Sequence, residues 1–349
     1  MHSINIRSRR LDNPHLEACL ARLPKAEMHF HFEGAFRWHT IRELHPRGQE
    51  LPERQPWLAQ ARPFADFQDF SQVFRDYVKP ATGTPAAIER HAFEMIEDLA
   101  RQNVRYAEVI VAQRFHTALG LSDEQVWHAV VWGRDRAMAQ YPIDVRLFLG
   151  LARHQTPEQS LTCLEEVAAF ALERRWLAGI DLQSDERLGD NRAFVSVYRR
   201  AADLDLKLRA HAGEICGALN VRAAAFLCGV TDISHGVRAV EDIGLLRDLA
   251  SAGVFLHVCP TSNVLLEVAR GYDTHPLRTL CEAGVRCTVN SDDPLPFGTD
   301  ITGEYRVLMR EMGFTLREVG EFAKTAFNAS LLDTGRKAEL RAEVDRTLA

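Results

Sequence analysis

Eight times along these 349 residues a short run of β-branched and other apolar residues gives way to a longer amphipathic stretch. The runs fall at 26–32, 104–111, 144–151, 179–182, 206–211, 230–234, 254–258 and 285–290. Helix-like segments between them include 86–102, 123–140, 157–174, 192–203, 239–252 and 276–283. Strand then helix, repeated, reads as parallel β/α units, because parallel neighbours need a crossover long enough to hold a helix. Eight units in a chain of this length predict an α/β protein of the (β/α)8 or TIM barrel type. The competing open, doubly wound sheet binds phosphates on a glycine-rich first turn, and neither G-x-G-x-x-G nor G-x-x-x-x-G-K-[ST] follows any of the runs.

Two insertions decorate the barrel. Residues 35–85 carry Phe64, Phe67, Phe70, Phe74 and Tyr77 and are expected to fold as helices over the barrel mouth, most of these rings serving as core. From Ile301 onward the sequence is helix-like with breaks at Gly313 and Asn328, which predicts several helices outside the barrel. No internal repeat, low-complexity tract or Pro/Gly-rich linker divides the chain. One domain over 1–349 is therefore expected, with 1–22 as an N-terminal extension and 301–349 as C-terminal helices.

Charge and cysteine usage narrow the partners. A net charge of -6 and a pI near 6.2 leave no electrostatic footprint for nucleic acid or an anionic membrane. The seven cysteines are scattered, odd in number and without a Cys-x-x-Cys, so neither a disulfide framework nor a thiolate zinc site is expected. Neither a signal peptide nor a membrane span is legible, and a cytoplasmic setting follows as the expectation.

The ends of the predicted strands carry the chemistry. His29 and His31 stand one residue apart at the end of the first run, and on a strand they share one face while Met28, Phe30 and Phe32 take the other. His211-Ala212-Gly213-Glu214 ends the fifth run, Ser234-His235-Gly236 the sixth and Ser291-Asp292-Asp293-Pro294 the eighth. Barrel enzymes assemble their sites at the C-terminal ends of strands. His29, His31, His211 and Asp292 offer three nitrogens and a carboxylate to a divalent metal, and zinc so held lowers the pKa of bound water from about 15.7 to about 7. Glu214 then stands ready to move a proton at the substrate, His235 to orient the water or take its proton, and Asp293 to hydrogen-bond the substrate. Taken one at a time, each has a plainer reading: a helix N-terminal charge, a satisfied core histidine, a turn residue before proline. Four separate strand ends are harder to explain that way.

The stretches LPKAEMHFHFEGA, HAGE, SHGVRAVED, CPTSN and NSDDPLPFGTDITGEY, together spanning 23–305, resemble the adenosine deaminase family of the amidohydrolase superfamily. The resemblance implies one zinc per chain held by His29, His31, His211 and Asp292. It further implies that Glu214 protonates the ring nitrogen beside the attacked carbon, that His235 positions the hydroxide and that Asp293 meets the imidazole side of a purine. The other zinc deaminase class couples His-x-Glu to Pro-Cys-x-x-Cys, and only His31-Phe32-Glu33 matches it.

Departures from the family pattern bear on the substrate. Ser184 occupies a position that is usually glycine in adenosine deaminases, where the backbone approaches the purine. Glu33 stands where many of them have Asp and where adenine and aminodeoxyfutalosine deaminases have Glu; in the family this position faces the sugar. His257 replaces a residue that is commonly Glu, and a core role outweighs a substrate role for it. The expected activity is hydrolytic deamination of a 6-aminopurine nucleoside, with Glu33, Ser184 and Asp293 contacting a small purine-like substrate. The alternative is a same-family deaminase of adenine, an N6-substituted adenine, aminodeoxyfutalosine or a pterin-like ring. A non-deaminating amidohydrolase and a barrel that only binds purines stand further off, and monomer or homo-oligomer stays open.

Overall fold

The computed structural model describes Leu11 and residues 13–60 and 64–349; the first ten residues of the expected N-terminal extension lie outside them. Among the described residues, β1 (Lys25–His31), β2 (Val104–Val111), β3 (Asp144–Ala152), β4 (Leu177–Gln183), β5 (Lys207–Ala212), β6 (Asp232–His235), β7 (Phe255–Val258) and β8 (Arg286–Val289) form one sheet in chain order. Every neighbouring pair is parallel. The ring closes through a parallel bridge between Phe30 and Asp292, where the His31 N–H donates to the Asp292 carbonyl at 3.0 Å. The Met28 N–H adds a bond to Asn290 Oδ1 at 2.8 Å. The chain is thus a (β/α)8 barrel, and all eight predicted strands lie within two residues of their expected ends.

Strands buried on both faces tolerate apolar residues at every position, which is why the sequence shows continuous runs such as Val109-Ile110-Val111 instead of alternation. The intervening helices are capped by their own sequence. Ser122 with Gln125, and Thr156 with Gln159, form reciprocal capping boxes at the starts of Asp123–Met138 and Pro157–Ala171. After the barrel, the helix Leu316–Ala329 packs on β8 and β1, so the C-terminal helices lie outside the ring as expected. Over the mouth, the helix Phe67–Val73 runs into a wider π-turn at Phe74–Val78, with Phe64 and Phe70 buried and Phe67, Phe74 and Tyr77 partly so. No helix among the described residues is long and apolar enough to cross a membrane.

Helix boundaries differ from expectation for identifiable reasons. The segment expected from 239 starts as helix only at Ile243, because the Asp242 carboxylate caps the Leu245 N–H after a 3-10 turn. The helix Ala218–Phe226 escaped notice because Ala218, Asn220, Val221, Ala223, Ala224 and Ala225 are all buried, leaving no apolar stripe of helical period.

Barrel interiors are commonly filled by branched apolar side chains, but one layer here is ionic. The Arg209 guanidinium donates to Asp181 Oδ2 at 2.9 Å and to Glu108 Oε2 at 3.0 Å. Lys207 Nζ donates to Glu108 Oε1 at 2.9 Å and pairs with Asp232 Oδ1 at 3.0 Å. His257 joins this layer, with Nε2 3.1 Å from Asp232 Oδ1 and Nδ1 2.8 Å from Thr288 Oγ1. It is a core histidine, fully buried beneath the mouth.

Candidate active site

β1, β5 and the turn after β8 deliver four donor atoms to one point at the C-terminal end of the barrel. His29 Nε2 lies 3.2 Å from His31 Nε2 and 3.1 Å from His211 Nε2, which is 3.2 Å from His31 Nε2. Asp292 Oδ1 is 3.1 Å from the first and 3.2 Å from the second. Three imidazole nitrogens in mutual contact have no consistent set of hydrogen bonds, since each contact needs one donor and one acceptor. The conflict is sharpest at His211: its Nδ1 donates to Asp181 Oδ1 at 2.8 Å, which leaves Nε2 as a bare lone pair aimed at the others. Converging lone pairs beside a carboxylate fit a cation. Tetrahedral zinc at the usual bond lengths sets its ligands about 3.3 Å apart, close to the separations found.

Asp181 is the outer member of this set. Although burial opposes its charge, the His211 imidazole and the Arg209 guanidinium hold its carboxyl well below the usual range. The ionic layer under the site thus fixes the tautomer of a donor. Sequence reading had passed over Asp181, which lies mid-strand in Gly179-Ile180-Asp181 with no neighbouring ligand-type residue.

The three expected reacting groups stand around this point. Glu214, buried, carries a carboxyl pushed well above its ordinary range by burial first and then by the charges of Asp292 and Glu186, which favours its protonated form. His235 Nε2 lies 3.5 Å from Glu214 Oε1 and 3.9 Å from Asp292 Oδ2. Burial keeps the His235 ring neutral, well below its usual pKa. Asn263, from the CPTSN stretch, donates its Nδ2 to His235 Nδ1 at 3.2 Å, while its Oδ1 accepts from His275 Nε2 at 3.2 Å. With the amide in this orientation, the ring hydrogen of His235 sits on Nε2 and points into the site as a donor. Asp293 Oδ1 is buried with no hydrogen-bond partner among the described residues. Burial, with help from Asp292 and Glu33 and against the pull of His31, raises the Asp293 carboxyl well above its usual range. A Cβ at Gly34 would meet Asp293 Oδ1 at 1.8 Å, so only glycine fits there.

Glu33 and Ser184 line the same cavity, which has a volume of about 700 Å³. Glu33 is pinned through Oε1, accepting from the Ala112 N–H at 3.0 Å and from His116 Nε2 at 2.9 Å. Ser184 has φ +79°, in the left-handed region that glycine occupies freely. His235 and Asp292 are left-handed too, at φ +65° and +61°. Such conformations cost of order 1–3 kcal/mol each and collect at functional sites. All nine residues expected at the site from the sequence therefore meet at one mouth.

A family model described as adenosine deaminase matches residues 24–347. Among characterised relatives, the adenine deaminase of Sinorhizobium fredii is 35% identical over 327 residues, covering 92% of this chain and 98% of the relative. The aminodeoxyfutalosine deaminase of Streptomyces coelicolor is 33% identical over 336 residues, covering 95% and 86%. A crystal structure of an amidohydrolase from Burkholderia ambifaria with bound zinc superimposes with a TM-score of 0.86 at 25% identity, covering 98% of this chain and 96% of that one.

Proposed function

The chain belongs to the adenosine deaminase family and is a hydrolytic deaminase acting on a C–N bond, and from that premise we propose that its substrate is a 6-aminopurine, with the free base adenine first among candidates. The adenine deaminase among the relatives favours adenine over the nucleoside expected from sequence, while the aminodeoxyfutalosine deaminase keeps a larger aminopurine compound in view. Glu33 agrees with them, being the longer Glu where many adenosine deaminases have Asp. We read 1–349 as one catalytic domain acting in the cytoplasm.

His29, His31, His211 and Asp292 would hold one divalent metal, zinc by the chemistry of the donors. Bound there, it supplies a water acidic enough to serve as nucleophile at neutral pH. The protein's own groups do the rest. Asp293, whose carboxyl is raised toward its protonated form and whose Oδ1 has no partner among the described residues, meets the imidazole side of the purine and sets its register. Glu214 gives its proton to the ring nitrogen beside the amino-bearing carbon, which makes that carbon more electrophilic. His235 donates from Nε2 to the oxygen being added and steadies its developing charge. A 6-aminopurine and water become a 6-oxopurine and ammonia: of the two protons of the added water, one goes to the departing amine and the other returns to Glu214. General acid–base help of this kind is worth roughly 10²- to 10⁴-fold.

The observation that carries the proposal is the buried Glu214 carboxyl, 3.5 Å from His235 Nε2 and beside the four converging donors, with its pKa pushed upward by burial. Ammonia release from adenine, adenosine, N6-methyladenosine, aminodeoxyfutalosine and pterins tests it. Turnover of adenine above the others supports the base, whereas silence on every member with metal bound contradicts the deaminase of aminopurines. The cavity favours a second reading: about 700 Å³ is room for more than a bare purine, so a nucleoside or N6-substituted compound outrunning adenine would select that reading.

A further inference from the structure

We infer that Glu186, in the turn after β4, is the positioning residue of the Glu214 acid: its carboxylate fastens the backbone that carries Glu214 and fixes where that proton is delivered. The inference rests on the aminopurine deaminase reading for its kinetic consequence, though not for its geometry.

Glu186 is buried, yet no Lys or Arg pairs with it among the described residues. Its charge is met by amides. Oε1 accepts from the Gly213 N–H and from Asn220 Nδ2, both at 2.7 Å. Oε2 accepts from the N–H groups of Glu214 at 3.0 Å, Ile215 at 2.6 Å and Cys216 at 2.7 Å. Four consecutive backbone donors facing one acceptor make an anion nest, a conformation that needs a left-handed residue. Gly213 supplies it at φ +70°. The anion that fills the nest comes from the neighbouring strand's turn, not from substrate.

Two consequences follow for the acid. Glu214 is itself one of the four donors, so its backbone is fixed at the residue that must present a proton within hydrogen-bond reach of the ring nitrogen, where a displacement of 1 Å can cost about 10²-fold in rate. The Glu186 carboxyl also adds to the upward shift of the Glu214 carboxyl, after burial and Asp292. The brace is itself braced: Asn220 Oδ1 accepts from the Asn191 N–H at 3.1 Å and from Asn191 Nδ2 at 2.9 Å. The turns after β4 and β5 are thereby locked as one unit.

Glu186→Gln tests this, since an amide nitrogen accepts nothing and one side of the nest loses its partner. The expected result is a kcat lower by roughly 10²-fold, a KM within about threefold of the parent, unchanged metal per chain, and faster hydrogen exchange confined to 213–216. Asn220→Ala removes one donor and keeps the charge, so a smaller loss of kcat is expected, on the order of tenfold or less. A kcat per metal-loaded molecule equal to the parent's, even with a lower Tm, would overturn the inference by making Glu186 merely structural. If the parent itself deaminates no aminopurine, the proposed function fails on its own. Exchange at 213–216 then decides: faster in Glu186→Gln supports the brace, unchanged refutes it.

Discussion

Two layers of buried carboxyl groups, one above the other in the same barrel, contain members whose pKa values are shifted in opposite directions. In the lower layer Glu108, Asp181 and Asp232 face Lys207, Arg209 and His257, and Asp181 and Asp232 are held well below the usual carboxylate range. In the upper layer Glu214 and Asp293 have no Lys or Arg bonded to them among the described residues and are held well above it. The residue types are alike and the burial is alike; what differs is whether a Lys or Arg side chain pairs with them. Paired carboxylates spend their charge on rigidity, and unpaired ones keep a proton that chemistry can use. One link between the layers is Asp181, which accepts from Arg209 below and from the donor His211 above.

Breaking the lower layer should cost the most. Arg209→Met leaves Asp181 and Glu108 without their shared cation, and removing one partner of a buried pair costs about 3–5 kcal/mol, read as a lower midpoint in urea. Asp181→Asn strikes the link: metal affinity should fall about 10- to 100-fold through loss of the acceptor that orients His211, measured by competition with a chelator. The pH response separates the layers as well. Carboxylates held below their unfolded pKa of about 3.9 contribute stability above that pH and lose it as pH falls through their folded values; Glu214, raised in the fold, contributes the other way, and its share declines as pH rises above about 4.3. Acid unfolding should therefore be less steep in Asp181→Asn than in the parent, and Glu214→Gln should lose no stability at neutral pH. The smallest effect is expected at the cavity wall. Ser184→Gly relieves a left-handed serine, a gain of order 1 kcal/mol offset in part by glycine's unfolded-state entropy, and Tm with the adenine-to-adenosine kcat/KM ratio reads both consequences.

Much of the upper layer was legible in the sequence and little of what supports it. His29 and His31 announce themselves because a strand puts alternate residues on one face, and His211, Glu214, His235, Asp292 and Asp293 because they cluster where strands end. Glu186 and Asn263 carry no such mark. Their work is done on amides and ring nitrogens brought near by the closing of the barrel, across 27 residues from Glu186 to Gly213 and 28 from Asn263 to His235. The ionic layer was hidden for a related reason. Asp181 sits alone within an apolar run, Arg209 lies between Lys207 and His211, and only the register of β4 on β5 pairs the two. His257 was legible as core because a lone histidine in an apolar run reads that way, and its partners Asp232 and Thr288 bear this out.

The most direct test of the account is ammonia release by Glu214→Gln, measured beside the parent on adenine with metal content determined on the same samples. The account predicts full metal occupancy, a melting temperature no lower than the parent's, and a turnover lower by roughly 10²- to 10⁴-fold. Near-parental turnover in a metal-loaded variant would contradict it, because the unpaired, protonated carboxyl that distinguishes the upper layer would then have no part in the reaction.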